Sequence, residues 1–191
     1  AFEYSLGLFA VLIGLAVADI ANSFHRLVRS RAPVHWDALP LLAALYALCM
    51  AVGMWFDLWG VRHFAATRHF FFYVWMIAAM FVLFLISAAA LPDEVGERCD
   101  LTQYYAQTRR YFWGLVALFQ LTYLLNGLYF IGIGNLAHIP VSAWLQLANN
   151  MLLPVLVAWL LSRTASRGLH YLGIAVLLIS LALHYSPYQI N

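Results

Sequence analysis

Charged residues bracket long apolar stretches that contain none, over 38–56, 69–92, 111–162 and 168–191. A helix that crosses about 30 Å of hydrocarbon needs about 20 residues, so the third stretch holds two spans and the others one each. With the apolar N-terminal segment, the pattern predicts helices over 2–24, 38–59, 70–92, 111–131, 141–162 and 168–187. The expected architecture is all-α: a six-transmembrane-helix bundle forming one domain over 1–191, with short loops and no extramembrane domain. A transmembrane β-barrel does not fit, because runs such as MFVLFLISAAAL lack the alternating polar positions of a lumen.

Composition narrows the class further. The 191 residues are 65% hydrophobic and only 9% charged, with a mean hydropathy of +0.82. A soluble domain carries about 25% charge, and a disordered chain needs low hydrophobicity, so both are excluded. The first segment lacks a basic region before its apolar stretch, and reads as a span and not a signal peptide.

All ten basic residues are arginine. Eight fall in alternate connections: Arg26, Arg29 and Arg31 after the first helix, Arg98, Arg109 and Arg110 after the third, and Arg163 and Arg167 after the fifth. Only Arg62 and Arg68 fall on the other side. The positive-inside rule then places the first, third and fifth connections in the cytoplasm of a bacterial inner membrane and both termini outside. A net charge of +2 spread over helix ends suits topology and headgroup contact, and no nucleic acid is expected as a partner. Trp36, Trp55, Trp59, Trp113 and Trp144 lie near predicted span ends, where an amphipathic ring prefers the interface. Cys49 and Cys99 sit at different levels, so neither a disulfide nor a zinc site is expected.

Three polar or small-residue patterns are candidates for function. On the first helix, Ala10, Gly14 and Ala18 recur every four residues, with Gly7 and Ala21 close by, making a seam for close packing within the bundle or against another subunit. Beside it, Asp19, Asn22, Ser23 and Arg26 share one face, as a local ion-pair network or a binding or proton-handling site. The third group is uncharged: Gln146, Asn149 and Asn150 precede Pro154 on the fifth helix, and the fourth carries Gln120, Tyr123 and Asn126. These amides serve either as interhelical glue or, beside a proline-broken helix, as a pore or ligand site.

His170 and His184 lie nearly on one face, about 21 Å apart at 1.5 Å per residue. One axial haem ligand in each leaflet would need partners such as His25 on one side and His63, His69 or His138 on the other. No second helix carries a matching pair, so satisfied interfacial imidazoles are preferred to haem b, and no cofactor is expected. A metal site from Asp57, His63 and His69 does not fit one helical turn, and Asp93, Glu94, Glu97 and Asp100 read as a solvated acidic loop. No GxGxxG, GxSxG, HExxH or P-loop lysine is present, and no enzyme activity is expected.

The stretches SFHRLVRSRAPVHWDALPLL at 23–42 and DLTQYYAQTRRYFWGL at 100–115 resemble a group of small polytopic bacterial inner-membrane proteins without an assigned activity. The resemblance covers about a fifth of the chain. It implies that location and brings no catalytic residue with it. The expected role is a non-catalytic subunit of a larger membrane complex or a self-assembling component, in contact with lipid or pigment. The alternative is a small channel or passive transporter built on the amides of the fourth and fifth helices.

Overall fold

The computed structural model describes residues 2–61, 70–94, 96, 98–133, 144 and 148–186. These residues are almost entirely helical. The long elements are α1 (Phe2–Arg29), α2 (Ala38–Val61), α3 (Phe70–Ala90), α4 (Leu101–Ile133), α5 (Leu153–Arg163) and α6 (Arg167–Tyr185). Among the described residues, four stretches are long and apolar enough to cross a membrane: Leu6–Arg29, Ala38–Trp59, Phe70–Ala90 and Arg167–Tyr185. That makes the chain a helical protein of membrane character.

The other two expected spans differ from their sequence reading. α4 begins ten residues before the predicted start, because Asp100 caps it: one carboxylate oxygen accepts from the backbone N–H of Thr102 at 2.8 Å and of Gln103 at 3.1 Å. Arg109 and Arg110 interrupt the hydropathy of this region but not its helix. The predicted fifth span is not one straight helix where it is described. A π-helical turn, Ala148–Leu152, leads into the shorter apolar α5. Pro154 lies in the first turn of α5, directly after the π-turn, where the regular helical hydrogen-bond ladder is already interrupted. The remainder of 141–147, apart from Trp144, lies outside the described residues.

α2 is the hub. It meets α1, α3, α4 and α6, and buries Leu39, Ala43, Tyr46, Ala47, Met50, Ala51, Met54 and Leu58. Its alanines let neighbouring backbones approach, and Gly53 lies directly against the Tyr185 ring of α6. α1 packs on α2 and α3 through Phe9, Ile13, Ala16, Ile20, Ser23 and Leu27, spaced three or four apart as one helical face requires. α4 packs on α3 and α5. The outward faces are also apolar, with Phe71 82% and Leu183 63% exposed, as suits contact with lipid and not water.

The connections after α1, α3 and α5 gather at one end. Val34 and His35 pair in parallel with Cys99 and Asp100, so the α1–α2 and α3–α4 connections form a two-residue bridge. Arg167 at the start of α6 reaches Asp37 before α2, and Arg109 of α4 donates to the Thr164 carbonyl between α5 and α6.

Candidate functional site

Polar side chains collect at two levels, the tied end just described and an internal cavity farther along the bundle. At the tied end the Arg167 guanidinium grips Asp37 with two bonds, 2.8 Å and 2.9 Å, and the Asp37 carboxylate also accepts the Leu39 N–H at 3.1 Å. The Asp37 side chain is 4% exposed and Arg167 51%. The guanidinium holds the Asp37 carboxyl down at about 2. The backbone N–H of Gln103 lowers that of Asp100 too, while burial pushes the Cys99 thiol up and leaves it a poor nucleophile.

Behind this pair runs a buried chain of hydrogen bonds. Trp113 Nε1 donates to Tyr105 Oη at 2.9 Å, and Tyr105 Oη lies 2.7 Å from His170 Nδ1. His170 Nε2 is 3.2 Å from the Thr164 carbonyl. Indole nitrogen only donates and a carbonyl only accepts, so the arrangement that satisfies every group has Tyr105 donating to Nδ1 and His170 carrying its proton on Nε2. His170 is 1% exposed, with both ring nitrogens engaged by protein. It stands as a neutral structural imidazole and presents no free nitrogen to a haem iron. His25 is exposed at the end of α1, and His184 lies at the opposite end of α6 from His170. His63, His69 and His138 lie outside the described residues, and among those described no three metal-ligating side chains cluster.

The polar face of α1 is rearranged relative to expectation. Arg26 does not pair with Asp19. It donates to Asp93 at 2.9 Å and to Ser23 at 2.8 Å, and Ser23 donates to the same Asp93 oxygen at 3.1 Å. The partner comes from the α3–α4 connection, which local spacing does not reveal. Asp19 is half-buried with one carboxylate oxygen lacking a hydrogen-bond partner, and Asn22 is exposed. The small-residue seam does not pack within the bundle among the described residues. Gly7, Gly14, Ala18 and Ala21 are exposed and Ala10 is half-buried, and a Cβ added at Gly7 or Gly14 would meet nothing within 4 Å. The seam faces out of the bundle because the larger Phe9, Ile13 and Ile20 take the inner face.

The cavity has a volume of about 60 Å³, room for a few waters, and lies where α2, α4, α5 and α6 meet. Gln120 donates to Tyr46 Oη at 2.9 Å along one wall, and Tyr123 donates to the Met54 sulfur nearby. Asn150 of the π-turn and Pro154 form another wall. Asp57 and His184 also line it, with Asp57 accepting from Tyr185 Oη at 2.7 Å and lying 3.9 Å from His184 Nε2. Gln120, Tyr123, Asn150 and Pro154 all line this cavity, whereas Asn126 is half-buried and not part of the lining. Gln146 and the Asn149 side chain lie outside the described residues. Sequence reasoning missed Tyr46, Tyr185 and the contribution of Asp57. The available signal was an acid inside the predicted span 38–59.

In comparisons with known proteins, no family model, curated protein or solved structure matches this chain.

Proposed function

We propose that this chain is a multi-pass protein of the bacterial cytoplasmic membrane that acts without catalysis, binding or passing a small polar solute at the cavity between α2, α4, α5 and α6. The observation that carries this reading is the convergence of Gln120, Tyr46, Tyr123 and Asn150 with Asp57 and His184 around one internal space. Amides that serve only as glue are expected to fill such space with one another. Here they stand beside a carboxylate and a widened helical turn, the combination in which a membrane protein exposes polar groups to a solute. The tied end is assigned to the cytoplasm and both termini to the outside, from the eight arginines against two.

The test is flux in proteoliposomes of the pure protein. The parent should pass an ion or small neutral solute. Asn149→Leu with Asn150→Ala, and separately Gln120→Leu, should abolish flux while the fold is kept, since an apolar constriction dewets. A parent that passes nothing and variants that differ only in stability would return the amides to the role of glue.

A second reading, a subunit of a larger assembly or a self-associating component, draws on the outward seam of α1. Gentle extraction followed by sizing tests it. A particle much larger than one chain in its detergent belt supports it, and a lone chain counts against it.

A further inference from the structure

The tied end carries a second feature, independent of the cavity. Where α1 ends, His25, Arg26, Arg29, Ser30 and Arg31 line an open groove of about 590 Å³. Arg26 donates to Ser23 and Asp93, and its charge is balanced there. Arg29 and Arg31 are exposed, and among the described residues neither has an acidic partner. The negative end of the α1 dipole offsets about half of one charge, so the groove stays positive. Its turn is fixed, because Ser30 Oγ accepts the Ala32 N–H at 3.0 Å.

One residue around the helix the surface changes character. Phe24 and Val28, four apart, stand 46% and 59% exposed, and Trp36 packs edge-on to Phe24 at 6.5 Å with 48% exposure. The end of this membrane-capable helix therefore carries a cationic groove and, about 100° around the helix, an exposed apolar face. A molecule that matches both has a phosphate diester for the guanidiniums, which suit its oxygens as paired donors, and hydrocarbon for the aromatic face. A free anion matches only half of this surface.

We propose that the groove formed by His25, Arg26, Arg29 and Arg31, with Phe24 and Trp36 beside it, is a binding site for the headgroup of an anionic phospholipid. An arginine near an anionic surface contributes roughly fivefold in binding, so losing Arg29 and Arg31 together should weaken lipid retention roughly 25-fold.

The experiment purifies the full chain with mixed phosphatidylglycerol and phosphatidylcholine and counts the lipids retained by native mass spectrometry. The parent should keep phosphatidylglycerol in preference to phosphatidylcholine. Arg29→Gln with Arg31→Gln should lose that preference, while Arg110→Gln with Arg163→Gln, which removes equal charge from elsewhere at the same end, should keep it. If the first pair does not fold, Arg31→Gln alone, beyond the end of the helix, should still cost roughly fivefold. Equal losses in the two pairs, or an unchanged preference in the first, would overturn the site. So would displacement of phosphatidylglycerol from the parent by soluble glycerol phosphate, which would show a free-anion site.

Discussion

The tied end and the cavity use similar side chains to opposite effect. At the tied end a tyrosine, an indole, an imidazole and a carbonyl form a closed sequence of hydrogen bonds in which each group has its complement. At the cavity a tyrosine, an amide, a carboxylate and an imidazole face a space with room for water. A buried polar group costs little when its partner is built in, and a great deal when it is left unpaired. The first region spends its polarity on fixing three connections to one another. The second sets its polar pairs, Gln120 with Tyr46 and Tyr185 with Asp57, around a space large enough for water.

The same substitution at both levels is the sharpest way to break this contrast. Tyr105→Phe leaves Trp113 Nε1 and His170 Nδ1 without partners, at about 1–3 kcal/mol each, so a loss of about 2–6 kcal/mol is expected in unfolding measurements. Tyr46→Phe removes one acceptor from Gln120, whose amide can turn to water in the cavity, and should cost about 1 kcal/mol or less. Equal losses would mean that the cavity is as dry as the tied end.

Asp37→Ala comes next. It removes a helix cap, about 0.5–2 kcal/mol, and a pair of charge-assisted bonds, about 1.5–3 kcal/mol, discounted because Arg167 is half-exposed. About 2–4 kcal/mol is the expected total. The sign of its pH dependence follows from a carboxyl held at about 2 against an ordinary 3.8. The contribution is full above the ordinary value and is lost as pH falls from about 4 through 2, so the Asp37→Asn variant should lack that acid limb in a stability–pH profile.

Gly53→Ala should cost about 1–3 kcal/mol, since its Cβ would lie 2.6 Å from the Tyr185 ring. Displacing that ring also breaks its bond to Asp57, so flux should change together with stability. The smallest effect is expected for Gly14→Leu. With nothing within 4 Å of its added Cβ, stability of the isolated chain should shift by no more than about 0.5 kcal/mol. A change in particle size with unchanged stability would place a partner on that face.

The charge-free stretches delimit α2, α3 and α6 to within a few residues, because desolvation makes charge the strongest signal along such a chain. They misplace the start of α4, since Arg109 and Arg110 extend a helix out of an apolar environment without ending it. The amides of Gln120 and Asn150 are legible as a group because proline and helical spacing mark them. Asp37–Arg167, 130 residues apart, and Arg26–Asp93, 67 apart, are not legible, because no local periodicity encodes which loops will meet. The facing of the α1 seam was equally hidden: small residues mark a surface that permits close approach, without stating which neighbour makes it.

The Asp37–Arg167 pair also sets an order of events. Asp37 precedes α2, whereas Arg167 arrives only with α6, so throughout synthesis and insertion of the intervening helices the carboxylate has no guanidinium to hold it. The α1–α2 and α3–α4 connections can bridge as soon as α4 begins, but the clasp over them closes only when α6 is in place. Closure of this end therefore waits on α6, and a nascent chain stopped before α6 would leave the Asp37 carboxylate without its guanidinium partner.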